Sequence, residues 1–242
     1  MADDGFEVPR LAQLYDPLDP DRSDLDAYAA IVDELGGRSV LDVGCGTGTF
    51  ALMLARRGLD VVGVDPAEAS LDVARGKAGA DAVRWVHGDA TTVRDVGVDV
   101  ATMTGNVAQV FVTDEEWAAT LDALHAALVP GGHLVFETRR PEREAWREWT
   151  RAATHDVTEV AGVGSVETWT EVTEVVGELV TFRSTWVFAA DGAVLTSDST
   201  LRFRDRPTVE SSLAGAGFDV VDVREARDRP GRELVFVARR QP

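Results

Sequence analysis

The sequence predicts an α/β protein: a doubly wound, seven-stranded sheet with an antiparallel last pair of strands, into which a three-stranded antiparallel β meander is inserted. Three observations lead there. Short Val- and Leu-rich runs alternate with helix-length segments through the first 138 residues, as in parallel sheets covered on both faces. The apolar period then drops to two between residues 166 and 203. From Pro207 the α/β alternation returns, but its last two strands are joined by a loop too short for a right-handed crossover helix.

The elements follow in order. Leu25, Tyr28, Ile31, Val32 and Leu35 share one helical face, with Ser23 and Asp26 spaced as a capping box and Gly36-Gly37 as the stop. A strand at 39–43, a glycine-rich turn and a helix through Phe50, Leu52, Met53 and Leu54 come next. A strand at 61–64, a helix at 68–75, strands at 83–86 and 98–103, and a helix opened by Thr113 and Glu116 continue the pattern. Pro130-Gly131-Gly132 precedes the apolar strand at 134–136. Residues 139–151 read as a charged helix, and strands at 166–176, 179–188 and 194–203 are joined by turns at Gly177-Glu178 and Asp191-Gly192. A helix from Pro207 to Gly215 and strands at 219–223 and 234–237 complete the sheet. The expected organisation is residues 1–138 as N-terminal cap and first part of the core, 139–206 as an inserted lid, and 207–242 as the rest of the core.

Chemistry concentrates in Val40-Leu41-Asp42-Val43-Gly44-Cys45-Gly46-Thr47-Gly48. Glycines at 44, 46 and 48 between a buried strand and a helix let the backbone turn sharply and approach a ligand closely. Asp42 stands two residues before the first glycine, and the spacing is G-x-G-x-G rather than the G-x-G-x-x-G of pyrophosphate binders. Asp65 ends the next strand, where a carboxylate can accept both hydroxyls of a ribose. His87-Gly88-Asp89-Ala90 ends the third strand and puts Asp89 at the same edge, in reach of an adenine amino group. A nucleoside ligand is the natural inference.

In these motifs, in Pro130-Gly131-Gly132 and in the N-terminal Leu14-Tyr15-Asp16, the chain resembles the class I S-adenosylmethionine-dependent methyltransferases of the small-molecule type, over roughly residues 37–138 and 213–239. The resemblance implies a Rossmann-like methyltransferase fold and S-adenosyl-L-methionine as cofactor, with S-adenosyl-L-homocysteine as product. It implies that Gly44, Cys45, Gly46 and Gly48 hold the methionine part through the backbone, with Asp42 orienting its amino-acid end and Tyr15 covering it. Asp65, with Pro66 beside it, would take the ribose, and Asp89 with Ala90 the adenine. Thr104 and Asn106, in the loop after the fourth strand, would border the methyl and acceptor site. Thr104-Gly105-Asn106 departs from the Asn-Pro-Pro-Tyr signature of nucleic-acid and protein-glutamine amino methyltransferases, so it does not identify the acceptor.

Composition narrows the partners. The 242 residues are 45% hydrophobic, enough for one sizeable core, and 42 acidic against 24 basic residues give a net charge of −18. Such a surface repels polyanions, so neither nucleic acid nor an anionic membrane is an expected partner. Asp3, Asp4 and Glu7 lie where an export signal needs basic and then apolar residues, and a single cysteine forms no internal disulfide, so a cytoplasmic monomer or homodimer is expected. The four histidines show no ligand spacing and no metal is expected. For the acceptor, a small molecule methylated on nitrogen or oxygen, His155 is a candidate base by position. Arg139 and Arg140 are candidates for a carboxylate, and Trp146, with Trp149 three residues on, is either an aromatic wall or an anchor for the insertion. Arg202, Arg204 and Arg206 alternate and are expected on one solvated face. An NAD-dependent oxidoreductase and a non-catalytic S-adenosylmethionine binder or subunit are the alternative readings.

Overall fold

In a computed structural model that describes residues 2–242, three one-turn helices come first: α1 (Asp4–Glu7), α2 (Pro9–Ala12) and α3 (Tyr15–Leu18). Met1, the first residue of the stretch read for an export signal, lies outside the described residues. The core then runs α4 (Leu25–Glu34), β1 (Ser39–Val43), α5 (Thr49–Arg56), β2 (Asp60–Asp65), α6 (Glu68–Arg75), β3 (Val83–His87), β4 (Val98–Met103), α7 (Asp114–Ala127) and β5 (Leu128–Arg139). After the short α8 (Arg151–Thr154) come β6 (Asp156–Val160), β7 (Gly164–Val176), β8 (Leu179–Phe188) and β9 (Val194–Arg202). The chain returns to the core through α9 (Arg206–Gly215), β10 (Phe218–Glu225) and β11 (Glu233–Arg240).

The main sheet has the order β10-β11-β5-β4-β1-β2-β3. β11 runs opposite to the other strands of this sheet, lying between β5 and β10. Successive residues of a strand face opposite sides, and the core divides accordingly. Val40, Val100, Val135 and Val235 pack under α4 and α5, while Leu41, Ala101, Leu134, Phe136 and Phe236 pack under α7 and α9. Phe136 is fully buried, stacked on Phe236 at 5.2 Å between ring centroids and edge-on to Trp117 at 5.7 Å. The Thr113–Glu116 capping box is present at the start of α7, with the Thr113 hydroxyl accepting the Glu116 N–H at 3.1 Å. The one expected at Ser23 is not. The Ser23 N–H bonds to Asp21 at 3.0 Å, and α4 begins at Leu25 without a side-chain cap.

The insertion differs from expectation in two respects. It is a four-stranded sheet, β6-β7-β8-β9, not a three-stranded meander, because residues 156–160 pair with 164–168. The single helix expected over 139–151 is instead the end of β5, two 3-10 turns (Pro141–Arg143 and Ala145–Glu148) and α8, broken at Glu144, whose φ is +44°. Gly177 and Gly192 take the positive φ that the hairpin turns require. The arginine triplet is not a solvated face. Arg204 is 3% exposed, donates to the carbonyls of Phe111 and Thr113 and lies over Trp117, while Arg202 pairs with Asp114 and Glu178.

The N-terminal helices link the two sheets. Leu11 and Leu14 are buried with Val160, Val166 and Phe188 of the inserted sheet, and Arg10 pairs with Asp191 at 2.8 Å. On the core side the Phe6 carbonyl accepts from Ser70 of α6, and Glu7 accepts the Glu68 N–H.

Phe136 tests the core. Phe136→Ala is expected to lower unfolding free energy by about 3–5 kcal/mol, read from urea melts. A loss below about 1 kcal/mol would mean that the ring stack is not a centre of packing.

Candidate functional site

The glycine turn is set by its neighbours as much as by its own sequence. Gly44, Gly46 and Gly48 have φ of +70°, +52° and +77°, a region where side chains are strained. A Cβ at Gly44 would fall 2.5 Å from Val107 and one at Gly48 2.4 Å from the Trp85 ring, whereas at Gly46 it meets no protein atom within 4 Å. Packing therefore dictates the outer two glycines, and backbone conformation the middle one. The carboxylate of Asp65 accepts the Gly46 N–H on Oδ2 and the Ala67 N–H on Oδ1, both at 2.8 Å. Asp65 thus pins the turn to the end of β2, and each oxygen keeps a lone pair for a ligand hydroxyl. Burial raises its pKa against the pull of these two N–H donors.

Asp42 lies on β1 beneath the turn, 1% exposed, with Oδ1 accepting the Thr102 hydroxyl at 2.9 Å and Oδ2 unpartnered. A buried acceptor without a donor fits the ammonium of a methionine group, so the residues present suit the cofactor that the resemblance implies. Asp89 uses Oδ1 for the N–H and hydroxyl of Thr91, and Ala90 beside it is buried. The Pro66 carbonyl meets the His87 ring at 3.0 Å. Cys45 is buried, its N–H on the Val64 carbonyl, and burial holds its thiol far above the ordinary range. Tyr15 opens α3, half-buried against Phe6. Its neighbour Asp16 accepts from the hydroxyls of Thr47 (2.7 Å) and Thr49 (3.2 Å) and pairs with Lys77 at 2.6 Å, tying the N-terminal segment to the glycine turn.

Toward β5 the edge becomes a polar cluster. Thr104 is half-buried after β4, and Asn106, 3% exposed with φ +62°, donates its N–H to Glu137 Oε1 at 2.6 Å and its Nδ2 to Glu233 Oε1 at 3.3 Å. Arg139 donates to Gln109 at 3.0 Å and lies 3.5 Å from Glu233, its guanidinium 5.4 Å from the Trp149 ring centre. Arg229 meets Glu233 at 2.9 Å. Trp146 and Trp149 pack edge-on against Phe203 and Phe182 of the insertion, at 4.5 and 4.9 Å. Arg140 turns away to Glu225 at 3.0 Å, so the two arginines do not act as a pair. His155 is exposed beside α8 and bonded to Glu167 at 2.9 Å. Among the described residues no group of three or more His, Cys, Asp or Glu is arranged to hold a metal, and no helix is long and apolar enough to cross a membrane.

Glu137, Glu233, Arg229, Gln109 and Asp16 were not singled out from sequence. Only Asp16 carried a signal, as part of the Leu14-Tyr15-Asp16 element. The others read as ordinary strand or loop residues, and the fold alone gathers them.

Burial pushes the Asp42 carboxyl up to about 7, opposed by Thr102 and reinforced by Asp65. A carboxyl whose pKa is raised on folding stabilises the fold while protonated. That contribution is full below about pH 4 and lost as pH climbs through about 7. Asp42→Asn should therefore flatten the loss of stability between about pH 4 and 7 in urea-melt midpoints. Parallel curves for variant and parent would contradict the buried titration.

Comparison with known proteins agrees with this geometry. Residues 40–132 match a family model described as a methyltransferase domain. The chain is 36% identical over 106 residues to a ubiquinone biosynthesis O-methyltransferase of Acinetobacter baylyi, covering 43% of this chain and 44% of that protein. It is 36% identical over 118 residues to a cypemycin N-terminal methyltransferase of a Streptomyces species, covering 48% of each. The match thus spans less than half the length of these relatives. Among solved structures, S-adenosylmethionine-bound CalS10, an amino pentose methyltransferase from Micromonospora echinaspora, superposes with a TM-score of 0.71 at 26% identity over 91% of this chain and 92% of its own. The CcbJ methyltransferase of Streptomyces caelestis shares the fold, with a TM-score of 0.77 at 19% identity over 96% of each chain. Residues 40–132 thus carry a methyltransferase domain, and the sheet order around them is that of the fold shared with S-adenosylmethionine-dependent methyltransferases.

Proposed function

We propose that this chain transfers a methyl group from S-adenosylmethionine to a nitrogen or oxygen of a small molecule lying between the carboxyl edge of the main sheet and the inserted sheet. The observation that carries it is Asp65 bonded to the Gly46 N–H at one end of that edge, with a separate buried polar cluster around Asn106 and Glu137 at the other. One end suits a nucleoside cofactor, the other a second reactant.

Residues 44–48 would hold the methionine part, with Asp42 Oδ2 toward its ammonium and Tyr15 over it; Asp65 would hold the ribose, and Asp89 with Ala90 the adenine. When bound, S-adenosylmethionine supplies a methyl group already activated on a sulfonium sulfur. The chain's own work is therefore to align and to exclude water, which for well-oriented reactants contributes about 7–11 kcal/mol. A nucleophilic side chain is not required, and Cys45, whose thiol is buried and protonated, does not supply one. The aromatic groups around Trp146, Trp149, Phe182 and Phe203 suit a wall that keeps water from the acceptor.

Two features support a small acceptor. The net charge of −18 disfavours nucleic acid, and relatives named above are described as acting in ubiquinone biosynthesis or on an amino pentose. His155 as a base and Arg140 as a substrate clamp receive no support from their surface pairings with Glu167 and Glu225.

Asp65→Ala is expected to weaken S-adenosylhomocysteine binding by about 2–4 kcal/mol in calorimetry, because two charge-assisted hydrogen bonds and the anchor of the turn are lost together. Unchanged affinity would remove Asp65 from the cofactor site. With labelled S-adenosylmethionine, methyl release to small amines and alcohols but not to RNA or DNA is the expected pattern. Transfer to nucleic acid alone would overturn the acceptor class.

A further inference from the structure

The polar cluster at the ends of β4 and β5 holds two buried acceptor atoms without a hydrogen-bond partner. Glu233 is compensated: Arg139 lies 3.5 Å away, Arg229 2.9 Å away, and Asn106 Nδ2 donates to it. Glu137 is different. It is 2% exposed and, among the described residues, forms no ion pair with a lysine, arginine or histidine. Its Oε1 accepts the Asn106 N–H, while its Oε2 is buried without a partner. The Tyr28 hydroxyl of α4 stands beside this carboxyl, yet no hydrogen bond of ordinary geometry reaches Oε2. Asn106 Oδ1 is equally buried and unpartnered.

Both orphan atoms are acceptors, and they belong to residues joined by a 2.6 Å bond. A partner able to serve both must bring at least two hydrogens, which an amine or ammonium does and a hydroxyl does not. A positive charge would also compensate the one acid in the cluster that lacks a cation. The cofactor's own ammonium has a closer match in Asp42 Oδ2, directly below the glycine turn, whereas Glu137 lies two strands away across β4. On the other side of the cluster, Arg139 reaches Trp149, and the aromatic group of the insertion begins there.

We propose that Glu137 and Asn106 hold the amino group of the methyl acceptor, so that the enzyme selects amines over alcohols of the same shape. This rests on the small-molecule methyltransferase reading above and names its substrate class. Arg229 is shared with Asp228 at 3.1 Å, so Glu233 and Asp228 balance Arg139 and Arg229 and the rest of the cluster is neutral around it. Burial, opposed by the Asn106 N–H and more weakly by the Tyr28 hydroxyl and reinforced by Glu233, holds the Glu137 carboxyl up at about 7, so it is ionised at mildly alkaline pH.

The test uses the full chain saturated with S-adenosylhomocysteine at about pH 8. Methylamine, cyclohexylamine and glucosamine are titrated calorimetrically against methanol, cyclohexanol and glucose. At least one amine is expected to bind about tenfold or more tightly than its hydroxyl counterpart, and Glu137→Gln, which puts a donor where the carboxylate stood, is expected to abolish that preference. Its affinity for S-adenosylhomocysteine should stay within about twofold of the parent, a readout independent of turnover. No amine binding up to about 50 mM, equal binding of amine and alcohol by the parent, or a preference that survives Glu137→Gln would each overturn the proposal. Loss of S-adenosylhomocysteine affinity with amine binding intact would overturn it too, by assigning Glu137 to the cofactor. Should Glu137→Gln fail to fold, the amine–alcohol comparison on the parent decides alone. Failure of the parent to bind S-adenosylhomocysteine would instead bring down the functional reading on which this one stands.

Discussion

The carboxylate of Asp65, bridging the N–H groups of Gly46 and Ala67, is the contact on which the rest of the site depends. It joins the turn after β1 to the start of α6, so two loops that would otherwise move separately share one anchor. The turn can then take its run of positive φ angles, and Gly48 can press against Trp85 of β3. Three parallel strands are thereby brought into one rim, with Asp42, Asp65 and Asp89 placed along it. On the proposed reading the same carboxylate would take the ribose, so architecture and recognition would draw on the same atoms.

Carboxylates on this rim are treated differently from those on the surface. Most ion pairs of the protein, such as Arg183 with Asp198 or Arg75 with Glu68, are half-exposed and contribute little to stability. At the rim, among the described residues, Asp42 and Glu137 are buried without a cation, whereas Glu233 is matched by guanidinium groups. Burying an acid in this way costs stability unless something else supplies the missing donor. The two uncompensated acids lie at separate points of the edge, on β1 and β5.

Much of the core was legible because its signals are local and repetitive. The limits of β1, β4 and α6 and the capping box of α7 follow from apolar period and a few capping residues. The glycine turn with Asp42, Asp65 and Asp89 was legible for the same reason, since each lies at a strand end. The insertion was harder. Strand β6 is five residues long and largely exposed, so its alternation carries little apolar contrast, and it exists because β7 offers an edge. Residues 139–151 have helical composition, but a helix would have carried the chain away from β11, to which β5 stays paired as far as Arg139. Arg204 looked solvated because alternation alone cannot reveal a tryptophan face arriving from α7. Glu137 was invisible for a similar reason: in Leu134-Val135-Phe136-Glu137 it reads as the polar end of a strand, and only β4, β11 and α4 together make it interior.

The antiparallel course of β11 has an evolutionary corollary. A parallel strand delivers its last residue to the rim, but β11 delivers its first, so Glu233, and Arg229 in the segment before it, arrive at the acceptor side from the far end of the chain. The stretch matched by the methyltransferase-domain model, residues 40–132, contains the glycine turn, Asp65 and Asp89 yet stops before Glu137, Arg139, Trp149 and Glu233. On the proposed reading, donor grip and acceptor choice are thus written in different parts of the polypeptide. Drift in one can redirect specificity while the other is inherited intact, and similarity over the shared stretch carries little information about what is methylated.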